Sequence, residues 1–414
     1  MGISPLKRWT SLGACSLILV AAAAACGADP ETGAVSVVDS AGVALVMNTG
    51  TGIWRSGEGW TVEEVRSLGA AEGDPDYEFG MIGGLDVDPD GRILVADLQA
   101  RAIRVYAPDG TFERSIGSAG SGPGELGLAI AGPFLVEREV WVPDLENQRV
   151  TRFSPEGELQ GSFRLDFTVG IPIRWDELPG DLLLAQLRAT SRTEPTAAPS
   201  GDPVVSLAAD GSVQDTILVL PPGESFQMSG GQVQVRLFAS EPIWDADDDG
   251  RIVSGRSDEY RIEVRDREGE LRRVVSRPFE RRPVTARDQE VILAAVKDAA
   301  RQQGVPEEAI ETVFAGVAFA DFYPNFASLL AGPDGTIWVQ AIRTGTDIAA
   351  DGADFDVQDL GSSEWDVFDG DGRYLGVVSF GVRFQPLRVI GDRFYGVARD
   401  ELGVQAVSVY QLVR

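Results

Sequence analysis

Gly84-Leu-Asp-Val-Asp-Pro-Asp-Gly-Arg-Ile-Leu-Val-Ala-Asp97, continued by Arg101-Ala-Ile-Arg-Val-Tyr-Ala-Pro-Asp-Gly110, places a tight-turn signal on each side of an apolar stretch. Asp90-Gly91 and Asp109-Gly110 suit hairpin turns because glycine accepts the positive φ such turns need. The Val, Ile, Leu and aromatic content between them reads as buried strand. The unit is therefore strand a, tight turn, strand b, loop, strand c, tight turn, strand d.

Working outward, the c–d turn recurs at Pro155-Glu156-Gly157, Ala209-Asp210-Gly211, Arg267-Glu268-Gly269 and Gly370-Asp371-Gly372. The a–b turn recurs at Glu137-Arg138, Pro179-Gly180, Asp249-Gly250, Asp334-Gly335 and Gly391-Asp392. A last apolar–polar run, 404–413, ends at Arg414 without a turn or a following strand. Thr61–Leu68 is a spare strand near the other end of the chain. Lending it to the last sheet would close a ring, so the pattern predicts an all-β fold. It is a six-bladed β-propeller of four-stranded blades, closed by an N-terminal strand, with a helical hairpin inserted at 280–325. The propeller spans 61–414.

The first unit resembles the NHL repeat, as does the second with Val142-Pro-Asp144 and Asn147-Gln-Arg-Val-Thr-Arg-Phe153. Gly120-Ser-Gly-Pro-Gly-Glu-Leu126 matches the Gly-rich lead-in of that repeat. Blades three to six are degenerate and are placed by turn spacing. From about residue 35 to 414 the chain resembles the six-bladed, NHL-like propeller lipoproteins of bacteria. The resemblance implies a fold and an envelope location, and no reaction.

Composition narrows the chemistry. A formal charge of −28, from 36 basic and 64 acidic residues, repels phosphate backbones and makes nucleic acid a poor partner. The chain contains no histidine, and Lys297 is the only lysine beyond Lys7. Imidazole bases, His-liganded metals and Ser-His-Asp triads are excluded. Any enzyme here would rely on carboxylates, Tyr, Ser, Arg or a hard cation.

Lys7-Arg8 precede an apolar stretch, 12–25, that ends Ala23-Ala24-Ala25-Cys26. A charged n-region, a short h-region and small residues before the cut describe a signal peptide over 1–25. The segment resembles a bacterial lipoprotein signal, which implies lipidation at Cys26, with Ala23 standing where that family usually has Leu. Simple cleavage leaving a free Cys26 is the alternative. Gly27 after the Cys implies, by the same resemblance, the outer rather than the inner membrane. Residues 26–60 then form a lipid-anchor tether and N-terminal extension. The lipid anchor is the expected link to the membrane, and the protein is expected to be a monomer.

The long connections, 187–202, 220–235, 280–325 and 342–362, all join b to c or d to a, and so fall on one face. Insertions gathered on one face are the usual mark of a binding face, although tolerated loop drift gives the same pattern. Within the largest, Thr285 can cap a helix over 286–303, with Val291, Ala294, Ala295 and Val296 as its apolar stripe. Pro306 opens a second helix through Phe314. Asp347, Asp351, Asp354, Asp356 and Asp359, with Phe322 and Tyr323 nearby, are the candidate ligand-binding residues. Acids around aromatic anchors suit a cationic or peptidic partner; the bland alternative has the aromatics in a core.

Asp245, Asp247 and Asp249 before Gly250 have the spacing that opens a calcium loop, but Arg256 stands where its bidentate Glu belongs. Asp86, Asp88 and Asp90 repeat that spacing in the same column of blade one, which an Asx-type turn also explains. Two functions remain. One is an envelope-anchored binding or scaffold lipoprotein, engaging a protein, peptide or glycan and needing no cofactor. The other is a calcium-dependent hydrolase resembling lactonase propellers, with its ion near the starts of the innermost strands. There the column holds Glu241, and within reach of it Glu78, Glu125 and Asn325.

Overall fold

The computed structural model describes residues 33–414, apart from 56, 70–72, 179–181, 189–200, 230–231, 303–304, 346, 348–359 and 401–402. Six antiparallel four-stranded ladders follow one another along the chain. Their innermost strands are Ile82–Val87, Phe134–Val136, Ile171–Leu178, Pro242–Ala246, Phe326–Ala331 and Phe384–Ile390. Strand a of blade six packs against strand a of blade one, so the ring is closed. The c–d turns fall at the five expected glycines, Gly110, Gly157, Gly211, Gly269 and Gly372, each with φ between 83° and 95°.

Strand b of blade one, Ile93–Asp97, is buried throughout. Its side chains alternate between two cores. Ile93 and Val95 join the cluster shared with blade six, while Leu94 and Ala96 join the one shared with blade two. A sheet covered on both faces reads as a continuous apolar run, which is why the central strands are so legible. Each of the six blade–blade seams has one such cluster.

Blade six takes its outer strand from the N-terminal part of the chain. Thr61–Leu68 pairs antiparallel with Gln405–Val413, from Thr61 opposite Val413 to Leu68 opposite Val407. The segment ahead of it does more than tether. Val35–Ser40 and Val43–Asn48 form a hairpin whose second strand lies parallel to Leu271–Ser276, extending blade four to six strands. The buried Asn48 side chain donates to Gly372 O (2.9 Å) and accepts from Tyr374 N (2.8 Å), tying the hairpin to blade five. Ile53 N and Trp54 N donate to Tyr374 O and Leu375 O before the chain reaches blade six. Residues 33–68 thus form a belt across the rims of three blades.

The inserted helices are Ala286–Gln302 and Glu307–Phe314. Thr285 N and Oγ1 donate to Asp288 Oδ2 while Asp288 N donates to Thr285 Oγ1, a reciprocal cap. The docked stripe differs from the expected one. Ile292 is its buried centre, with Ala295 and Val296 beside it, whereas Ala294 faces solvent. Ile292 packs against Phe238, Val284, Tyr323 and Ile342, which rotates the buried face away from Val291 and Ala294.

Candidate functional site

Near the a–b end of the axis, carboxylates from different blades meet two guanidinium groups. Arg388, on strand a of blade six, lies 3.2 Å from Asp86 of blade one, 2.6 Å from Glu177 of blade three and 2.9 Å from Asp248 of blade four. Arg174 of blade three lies 3.1 Å from Asp245 of blade four. Backbone amides complete the ring: Leu135 N of blade two donates to both Asp86 and Glu177, and Ala331 N of blade five donates to Asp245. Ala246 N donates to Asp176. All six innermost strands therefore meet in one network.

The buried acids Asp86, Asp176, Glu177 and Asp245 outnumber the two arginines. Burial pushes Asp86 up to about 6 against the pull of Arg388. Burial, then the neighbouring Asp86, pushes Glu177 up to about 8. Burial and Asp176 push Asp245 up to about 7, and burial raises Asp176 as well. Burial alone would lower Arg388, but the carboxylates of Asp86, Glu177 and Asp248 hold it above its ordinary value. Burial thus favours the protonated form of these acids, and the ion pairs tie blades one, three, four and six together across the ring.

The opposite face carries a cleft of about 760 Å³. Its walls come from the link between blades four and five (Arg277, Phe279, Arg282), the b–c connection of blade five (Arg343, Asp347) and the link to blade six (Val382, Arg383). Beneath it Asp366 accepts hydrogen bonds from Tyr260 Oη, Tyr374 Oη (2.6 Å) and Arg277 Nη1 (2.8 Å). The Arg277 guanidinium lies 3.8 Å from the centre of the Tyr374 ring. Burial and the Asp366 charge raise both tyrosines far above their ordinary range, so each hydroxyl stays a proton donor to Asp366.

The residues singled out from sequence are only partly brought together. Asp347 lines the cleft; Thr344 N and Oγ1 donate to it, and with Arg282 and Arg343 they hold its carboxyl below the usual range against a desolvation that would raise it. Asp351, Asp354, Asp356 and Asp359 lie outside the described residues, as does Cys26. Tyr323 belongs to the core under the helices and accepts from Gly345 N through its hydroxyl. Phe322 is half-exposed beneath the Arg281 guanidinium, 4.2 Å from its ring centre. The cleft arginines were not anticipated, since no motif joins them in sequence.

Asp245, Asp247 and Asp249 diverge. Asp245 points to the axis. Asp247 accepts from Asp249 N and Arg251 N and pairs with Arg251 Nε at 2.8 Å. Asp88 does the same for Asp90 N, Arg92 N and Arg92 Nε in blade one. Among the described residues, no three His, Cys, Asp or Glu side chains form a group able to hold a metal. Glu241, the acid at a strand start, accepts from Arg188 and from Ser225 N. Asp247→Ala should cost about 1–2 kcal/mol through the lost turn acceptors and the loosened Arg251. Calcium should leave the melting temperature of both proteins unchanged; a calcium-dependent rise that Asp247→Ala removes would restore the metal loop.

No family model matches the sequence, and no curated protein does. Among solved structures, a candidate exported protein of Bacteroides fragilis superposes on 89% of this chain and 100% of its own, with TM-score 0.53 and 9% identity. A member of the DUF4221 family from Bacteroides vulgatus covers 86% of this chain and 99% of its own, with TM-score 0.53 and 12% identity. Catalytically inactive virginiamycin B lyase of Staphylococcus aureus, in a structure with quinupristin, covers 86% and 100% with TM-score 0.41 and 9% identity. At such identities the likeness is one of fold.

Proposed function

We propose that this chain is an envelope-anchored binding lipoprotein of the NHL-like propeller type, held in the outer membrane through a lipid on Cys26. Its insertion-bearing face engages a protein, peptide or glycan. The observation that carries this reading is the cleft, whose walls come mainly from b–c and d–a connections of neighbouring blades, with the strand ends of blade five between them. Connections of a rigid ring are where such scaffolds place recognition. The Lys7-Arg8 start, the apolar stretch and the unpaired Cys26 support the location. So does the likeness in fold to the candidate exported protein of Bacteroides fragilis.

The competing reading, a cation-dependent hydrolase at the channel, draws on the four carboxylates that meet on the axis. Arg388 occupies the position between Asp86 and Glu177 that a cation would need, which favours binding over hydrolysis. The anchor is tested by labelling with a palmitate analogue: wild-type protein should take up label and Cys26→Ser should not. Unlabelled wild-type protein would defeat the lipoprotein reading. The face is tested by cross-linking in envelope extract. Replacing Val382 and Arg383 by Ser should remove an adduct that survives replacement of Asp249 on the opposite face; the reverse would move the site.

A further inference from the structure

We infer that the cleft on the insertion-bearing face recognises a carboxylate carried on an apolar body. The inference rests on the binding reading of that face and names the chemistry it takes. Its first support is charge. In a chain of net charge −28, four arginines, Arg277, Arg282, Arg343 and Arg383, line this one cleft. They come from three separate connections, so no local sequence requirement gathers them. Arg277 is committed to Asp366 and Tyr374, and forms the floor. Arg282 donates to Ile342 O from one wall, and Arg343, only 7% exposed, stands in another.

The second support is a buried donor. Asn325 lines the same cleft, and its Nδ2 is buried with no acceptor among the described residues. Its backbone amide donates to Ser257 O, which holds the backbone at this point. A buried amide donor without an acceptor is costly, and a turn of the side chain into the cleft would let a ligand oxygen satisfy it. Guanidinium forks and an amide N–H together favour a planar, two-oxygen acceptor.

The lining also sets the charge and shape of the ligand. Glu280, Asp347 and Glu364 stand among the four arginines and Asp366 pairs with Arg277 beneath them, so the lining balances its own charge. Beside a balanced lining a singly charged carboxylate is tolerated better than a phosphate dianion, which the neighbouring acids repel more strongly. Phe279 (41% exposed) and Val382 (43%) flank the cleft with apolar surface. The volume suits a ligand or ligand portion of drug size. A free organic acid and the terminal or side-chain carboxylate of a larger partner share this chemistry.

The test is saturation-transfer NMR and calorimetry on the full chain with four probes: 4-phenylbutyrate, 4-phenylbutylamine, phenyl phosphate and a short peptide ending in a Phe carboxylate. The carboxylates are expected to bind at least about ten-fold more tightly than the amine and the phosphate. A preference for the free acid or for the peptide tells the two sources apart. Arg383→Met and Asn325→Asp should each weaken carboxylate binding about ten-fold at an unchanged melting temperature. Arg343→Met should do the same; if its burial makes that variant unstable, the other two decide. Equal binding of the amine, tighter binding of the phosphate, or indifference to all three variants would overturn the inference. Should no carboxylate bind while the envelope cross-link still depends on Val382 and Arg383, the ligand class falls and the binding face stands.

Discussion

Replacing Arg388 by Met is expected to destabilise the propeller by about 3–5 kcal/mol near pH 8, because it strands buried carboxylates without their counter-charge. The side chain joins blade six to blades one, three and four across the axis, so its loss acts on the ring as a whole. The effect should depend on pH. Burial raises Asp86 to about 6, Asp245 to about 7 and Glu177 to about 8, all above the ordinary carboxylate range. The folded chain therefore holds protons that the unfolded chain releases. Their contribution is complete below about pH 4 and is lost as the pH rises through 6 to 8. The wild type should melt higher at about pH 5 than near pH 8, and the variant should show a steeper difference, with most of its deficit at the higher pH. Glu177→Gln, which removes a buried charge, should flatten the wild-type slope. Thermal melts of the three proteins at both pH values decide this. A deficit that ignores pH, or a wild type more stable at pH 8, would mean that the acids on the axis are fully ionised and compensated.

Removing the N-terminal belt should be the more damaging change. Deletion through Gly69 takes away Thr61–Leu68 and exposes the whole edge of Gln405–Val413, an open ladder that invites pairing with other chains. It also uncovers Leu412, Tyr410 and Phe384, which pack with Val62 and Trp60 in the seam between blades five and six. The truncated protein is expected to aggregate and to lose its cooperative melt. Deleting only residues 33–48 keeps the closing strand but removes the hairpin on blade four. That protein should stay monomeric and melt lower, through the loss of Val46 burial and the Asn48 bonds. If the longer truncation remains monomeric with a wild-type melt, the ring closes without its N-terminal strand.

The blades were legible in the sequence because each is built from hairpins, and a hairpin is decided by a few neighbouring residues. Asp90-Gly91 and Asp109-Gly110 announce their turns locally, and the runs beside them are apolar because both faces of every blade are buried. The closing strand could be inferred for the same reason: 404–413 lacked a neighbour and Thr61–Leu68 had none of its own. The helical insertion was legible from the Thr285 cap, whereas the face it buries was not. That depended on Phe238, Tyr323 and Ile342, which reach Ile292 from distant parts of the chain. The hairpin of 35–48 was missed because it pairs with a strand more than two hundred residues away.

Local patterning thus determined the six blades, the ring and the crowded face by itself, since those depend on turn chemistry and apolar periodicity. The tertiary structure alone decided what stands at the centre of one face and in the cleft of the other. Glu177 and Arg388, 211 residues apart, meet only because equivalent strands of different blades are wrapped round a common centre. Arg282, Asn325, Arg343 and Arg383 converge for the same reason, on links that have no sequence motif in common. A repeat specifies its own fold through near neighbours. The chemistry of a ring arises where the repeats differ, and those differences acquire meaning only when closure brings them into contact.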